Sequence, residues 1–291
     1  MRQSFLNRVR VLPQYVIPQH LLSRLIYKIS RWRWKPFKNA LIKVFIRVFR
    51  VNLDIAAESE IEQYPDFNAF FTRALAPLAR PISRSATDII SPVDGTVSQI
   101  GTIHDQQLIQ AKGRNYRLSE LLVNNADMFR GFDEGQFATL YLAPRDYHRI
   151  HMPFDGTLKK MIHVPGRLFA VNQHTTEVVD RLFARNERVI CYFDTTIGRM
   201  AIVFVGAIFV GSMETVWAGQ ITPGNKRTIT TTTYDVPGNP LVYRKGDEIG
   251  RFNMGSTVIM IYEKDHMQWL HRFKPGDRIK VGMTIGKVEG P

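Results

Sequence analysis

Three short segments carry side chains able to do chemistry. The sharpest is Phe252-Asn253-Met254-Gly255-Ser256-Thr257, followed by the apolar run Val258-Ile259-Met260-Ile261-Tyr262. By itself, Gly-Ser ahead of a strand reads as a turn. Its chemical potential lies in the glycine: without a side chain, Gly255 admits a strained backbone and leaves its carbonyl open to the Ser256 hydroxyl. The second segment, Tyr141 to Pro153, holds His148 and His151 beside Arg145, Asp146 and Arg149. A lone histidine there reads as structural, whereas two within four residues among charges fit proton transfer equally well. The third is Asp94 in Ser91-Pro92-Val93-Asp94-Gly95, a turn residue on spacing alone, or the partner that orients an imidazolium. His148, His151 and Asp94 could also be read as zinc ligands. An H-x-x-H pair in a loop is a weak signal, however, and the helical H-E-x-x-H pattern is absent.

The elements that must position these residues are mostly strands. From about residue 85 onward, short β-branched runs alternate with Gly, Pro and Asp turns, which predicts strands at Phe137–Leu142, Arg188–Phe193, Met200–Val205, Ala207–Met213 and Thr257–Tyr262. Helices are expected at Ser119–Phe129, with Ser119 as cap, and at Thr175–Arg185. Pro92-Val93-Asp94-Gly95-Thr96-Val97 is echoed by Pro153-Phe154-Asp155-Gly156-Thr157-Leu158, and an Asp-Gly step between apolar residues marks a tight hairpin. The Pro275–Gly286 stretch is similar to the turns of biotinyl and lipoyl carrier domains, though without the modified lysine, so the likeness concerns fold alone. The expected class is strand-rich α+β: a β-sandwich or hybrid-barrel body with N-terminal amphipathic helices. The single cysteine, Cys191, excludes an internal disulfide and lies in an apolar run.

Charge divides the chain. Residues 1–50 hold 12 Lys and Arg and no acid, against a net charge of +13 for all 291 residues. The remainder is near neutral, which sets residues 1–55 apart as a basic arm and 56–291 as the body that holds the three chemistry-bearing segments. In the arm, Leu22, Leu25, Ile26 and Ile29 form one helical stripe and Leu41, Val44, Phe45, Val48 and Phe49 another, with Arg and Lys on other faces. Trp32 and Trp34 between Arg31, Arg33 and Lys35 suit a lipid headgroup layer. The alternatives are a helical pair packed on the body and, with no accompanying motif, a nucleic-acid surface. No apolar run is long enough to span a bilayer as a helix: the longest, Ala201 to Gly211, has 11 residues where about 20 are needed.

The same segments, in this order, resemble the bacterial phosphatidylserine decarboxylases. The likeness runs through Phe70-Phe71-Thr72-Arg73, Arg80-Pro81, Ser91–Gly95, Gln110-Ala111-Lys112-Gly113, Tyr147–Pro153, Leu182–Arg188, Val210–Gly219 and Gly255-Ser256-Thr257. Met254 stands where the family's cleavage motif commonly has leucine, a volume-conserving exchange. The resemblance implies a self-processing triad of Asp94, His151 and Ser256, with cleavage between Gly255 and Ser256 into a β chain of residues 1–255 and an α chain of residues 256–291. It implies that Ser256 becomes a covalent pyruvoyl group, a ketone able to capture the amine of phosphatidylserine as a Schiff base while carbon dioxide leaves. His148 is the expected aid to decarboxylation or reprotonation, and no metal is expected. The implied partners are phosphatidylserine, an anionic membrane surface and the two chains of one precursor; a homodimer is compatible, and nucleic acid is not a partner. The implied location is peripheral, at the cytoplasmic face of the inner membrane.

Overall fold

The computed structural model describes residues 11–123, 131–208, 212–223, 228–254 and 256–289. Its centre is a nine-stranded antiparallel sheet. Ser256–Tyr262 lies in the middle, between Gly198–Val205 on one side and Gln136–Leu142 on the other. All seven of its residues are buried. This explains why its sequence reads as a continuous β-branched and aromatic run, with no apolar-polar alternation. The order continues through Arg188–Thr195 and Gly156–Val164 one way and Gly95–Thr102 and Arg278–Ile279 the other, and the described strands do not close into a barrel. The body is therefore strand-rich α+β, built on an open sheet.

A second sheet of four strands runs Gly219–Gln220, Ser212–Thr215, Glu248–Asn253, Arg149–His151. A third joins Asp88–Ile90, Thr284–Val288 and Met267–Trp269. Four expected strands recur within two residues of their predicted ends. The expected strand Ala207–Met213 does not: Ala207 and Ile208 leave the sheet, 209–211 lie outside the described residues, and the strand is Ser212–Thr215.

Two helical expectations need correction. Thr175–Arg185 is not one helix but two short turns, Gln173–Thr176 and Leu182–Arg185. The buried Gln110 side chain donates to the carbonyls of Thr176 and Val179, which a continuous helix would need for itself, and Arg181 turns left-handed at φ 53°. The other helix is only Leu118–Leu121, with Ser119 inside it and the Glu120 carboxylate accepting from Arg117 N–H; 124–130 lie outside the described residues. The two Asp-Gly steps open the strands Gly95–Thr102 and Gly156–Val164 instead of sitting in tight hairpins. Glycine is needed at 95 for space, since a Cβ there would meet the Tyr141 carbonyl oxygen at 2.5 Å.

The arm forms the helices Gln19–Ser30 and Lys35–Phe49. Pro36 in the first turn of the second helix suits a position whose N–H is free anyway. Ile42, fully buried, docks that helix on Tyr64, Phe67, Phe70 and Phe71. The first helix is docked by polar side chains: Gln19, Ser23 and Ser30 are buried. Gln19 Oε1 accepts from Leu168 N–H at 2.9 Å, and Gln14 likewise from Ala170 N–H. Leu21 and Leu25 face outward, 66% and 52% exposed, while Leu22, Ile26 and Ile29 are half-buried. Trp32, Trp34, Val44, Val48 and Phe49 continue this apolar surface. Of the 17 large hydrophobic side chains that are exposed among the described residues, 11 lie between Leu12 and Phe49. The arm thus meets the body through one face and leaves an open apolar face on the other.

Candidate active site

Ser256 sits where the chain crosses from one sheet to another. Glu248–Asn253 belongs to the four-stranded sheet and Ser256–Tyr262 to the nine-stranded one, with only Met254 and Gly255 between. Gly255 lies outside the described residues. Met254 has φ 94°, a left-handed conformation that costs a side-chain-bearing residue on the order of 1–3 kcal/mol. The upstream side of this junction is clamped: Asn253 Nδ2 donates to Ser212 Oγ and, at 2.9 Å, to Glu214 Oε1, while its Oδ1 accepts from Asn68 at 2.9 Å. The downstream side is held by the pairing of Ser256 with Leu142.

Backbone pairing brings the other segments here. Arg149–His151 runs antiparallel to Glu248–Asn253, and the Phe252 N–H donates to the His148 carbonyl at 3.0 Å. The His151 N–H donates to the Pro92 carbonyl at 2.9 Å, which ties the Asp94 turn to the histidine strand. Arg149, bonded to the Thr72 carbonyl and to Glu248, and Asp146, paired with Arg278, fix the loop around the histidines.

Ser256 is fully buried and its Oγ has no hydrogen-bond partner among the described residues. His148 is also fully buried; its Nδ1–H donates to the Asp146 carbonyl at 2.8 Å, which leaves Nε2 as a lone pair without a partner among the described residues. Burial lowers its pKa from 6.5 to about 3, with Arg73 adding to the shift and the Asp146 carbonyl opposing it. The Phe71 ring lies 4.1 Å from the imidazole, centre to centre, and shields it from water. His151 donates from Nδ1 to the Gly246 carbonyl at 2.7 Å and accepts at Nε2 from the Tyr147 hydroxyl at 2.9 Å. Burial lowers its pKa as well, partly offset by the Gly246 carbonyl. Both rings are neutral at physiological pH, hence able to accept a proton.

Asp94 is buried and committed elsewhere. Its Oδ1 accepts from Arg80 Nε and from the Val281 N–H, each at 2.9 Å, and its Oδ2 from Arg80 Nη2. The sequence-expected residues therefore share one region, yet no hydrogen bond joins Asp94 to His151 or His151 to Ser256 among the described residues. Tyr147 occupies the lone pair of His151, and Arg80 holds the carboxylate. Sequence reasoning missed Tyr147, Arg80 and Asn253 as members of the site. Tyr147 and Arg80 lay inside motifs already singled out, and Asn253 immediately preceded the Met-Gly-Ser step, but residue type alone does not say what a side chain bonds.

A buried serine hydroxyl is a latent nucleophile, and a neutral imidazole can accept a proton. Comparisons with known proteins identify the family. A family model described as "Phosphatidylserine decarboxylase" matches residues 67–287, and a second, described as "PSD", matches residues 9–50, the arm. Proteins named phosphatidylserine decarboxylase proenzyme from Methylococcus capsulatus and Ectopseudomonas mendocina are 50% and 47% identical to this chain. The first match covers 94% of each chain, the second 97% of this chain and 99% of its relative. The relative from Nitrosococcus oceani, of the same name, is 48% identical over 94% of this chain and 90% of its own. With three-quarters of its length matched by one family model and the arm by another, this chain belongs to the phosphatidylserine decarboxylase family.

Proposed function

We propose that this chain is a proenzyme that cuts itself between Gly255 and Ser256 and then converts phosphatidylserine to phosphatidylethanolamine and carbon dioxide. The observation that carries the reading is the Ser256 Oγ, fully buried and without a hydrogen-bond partner among the described residues, two residues beyond a left-handed Met254. The names of the relatives, which include the word proenzyme, support it.

Self-processing begins when His151, oriented by Asp94, takes the Ser256 hydroxyl proton. In the structure both are engaged by others, so the Tyr147 hydroxyl must leave His151 Nε2 and Arg80 must share the Asp94 carboxylate. Ser256 Oγ then attacks the Gly255 carbonyl and the C–N bond breaks, giving an ester and a free amine. Loss of the Ser256 α-proton expels the Gly255 carboxylate and leaves dehydroalanine. One water converts this to pyruvoyl with release of ammonia.

The surroundings of Ser256 fit a small carbonyl group: the side chain is fully buried, and its Oγ meets no hydrogen-bond partner among the described residues. The pyruvoyl ketone supplies what no natural side chain has, an electrophile that captures an amine and draws electrons from the α-carbon. His148, with an Nε2 lone pair that meets no partner among the described residues and a Phe71 ring against its imidazole, is assigned the holding and return of the proton at that carbon. The outward apolar face of the arm, with cations around it, supports peripheral attachment at the anionic cytoplasmic leaflet of the inner membrane. In vesicles containing phosphatidylserine, the wild type should release carbon dioxide and form phosphatidylethanolamine, and Ser256→Ala should do neither. Activity retained by Ser256→Ala would defeat the proposal.

A further inference from the structure

Beside Asp94 lies a cavity of about 270 Å³ in which cations outnumber carboxylates. Its two carboxylates are already matched, Asp94 by Arg80 and Asp146 by Arg278 at 2.6 Å. Arg50, Arg73, Arg145 and Lys280 line the same cavity, and none of the four forms an ion pair among the described residues. Three of them are exposed at the rim. Arg73 is not: it is 3% exposed, donates from Nη2 to the Arg145 carbonyl at 3.3 Å, and has no acceptor for its Nε and Nη1 among the described residues. A buried guanidinium with unmet donors is retained only where something compensates it. Its planar fork matches paired oxygens of a phosphate.

We propose that this cavity is the anion subsite that seats the phosphodiester of the lipid headgroup, with Arg73 as its buried donor and Arg50, Arg145 and Lys280 as its rim. The assignment rests on the decarboxylase reading above. Two features point to a lipid phosphodiester as the anion. Arg50 caps the helix Lys35–Phe49, so the rim adjoins the exposed apolar surface of Val48 and Phe49 where acyl chains would lie. At the other end, Tyr147 lines the cavity and bonds His151, linking it to the reacting region. In a serine headgroup only two carbons and an ester oxygen separate phosphorus from the amine, so the phosphate must be held within one headgroup length of the reacting group. The substrate carboxylate is the wrong tenant, because fixed cations would stabilise the charge that must depart as carbon dioxide.

The test is steady-state kinetics on vesicles of phosphatidylserine in phosphatidylcholine, with sn-glycero-3-phosphoserine and inorganic phosphate as competitors. Arg73→Gln, Arg73→Lys and the double variant Arg145→Gln/Lys280→Gln are compared with wild type, and intact mass reports processing in each. Arg73→Gln should still be cut before Ser256, with KM raised about tenfold or more and kcat changed far less, and Arg73→Lys should fall between. The double variant, altered only at exposed side chains, should raise KM about threefold and decides the matter if Arg73→Gln does not fold. Glycerophosphoserine should inhibit the wild type and lose potency against the variants. Unchanged KM and inhibition in Arg73→Lys and the double variant would overturn the subsite. Inorganic phosphate inhibiting as strongly as glycerophosphoserine would overturn its assignment to the lipid. A wild type that is uncut and inactive would instead remove the reading on which the subsite rests.

Discussion

Among the described residues, Ser256 and His148 each keep a buried polar atom without a partner, a costly state in a protein interior and a recurrent one in reactive sites. The cost has a measurable pH signature. His148 is much less basic in the fold than in the unfolded chain, about 3 against 6.5. Above pH 6.5 neither state holds the proton and the full stability is present. Below it the unfolded chain gains a proton that the fold refuses, and stability falls until pH reaches the folded value, at about 1.4 kcal/mol per pH unit. Urea unfolding of Ser256→Ala, which keeps the chain whole, should therefore weaken with acid more steeply than that of Ser256→Ala/His148→Gln, by about one proton. Equal slopes would mean that His148 is not held neutral by burial. The lowered pKa of His151 likewise places the acid limb of self-processing below pH 6.5, not above it.

At the scale of elements, the arm is the departure from ordinary burial. Its first helix turns Gln19, Ser23 and Ser30 inward and Leu21 and Leu25 outward. Replacing Leu21, Leu25, Val44 and Val48 with serine should leave the melting temperature nearly unchanged, because these side chains already face solvent. It should weaken sedimentation with phosphatidylserine vesicles by about a hundredfold or more, each lost apolar side chain being worth roughly 1–2 kcal/mol in the interface. The blue shift of Trp32 and Trp34 emission on vesicles should fade with it. Undiminished binding would show that the arm's apolar face serves something else. How legible such elements are depends on how local their causes are. The run Val258–Tyr262 and the periodic stripes of the arm declare themselves, because alternation and helical spacing are properties of neighbouring residues. The break at Arg181 does not, since it follows from Gln110, some 70 residues away, taking carbonyls that the helix would use. The same holds in the site. Asp94, His148, His151 and Ser256 could be named from sequence, but the Arg80–Asp94 pair and the Tyr147–His151 bond are facts of packing.

At the scale of the molecule, the cut proposed before Ser256 would leave the fold intact. The 36 residues from Ser256 onward supply the middle strand of the nine-stranded sheet, Arg278–Ile279 at its edge and Thr284–Val288 in the middle of the three-stranded sheet. The Val281 N–H reaches back to Asp94. The two chains should therefore elute as one species in native size exclusion and separate only in denaturant. Intact-mass spectrometry of the purified protein, beside Ser256→Ala, tests the central claim most directly. The account predicts a chain of residues 1–255 and one of residues 256–291 that lacks an N-terminal amine and reacts with hydrazines, while Ser256→Ala stays whole. A single uncut chain that still decarboxylates phosphatidylserine would contradict it.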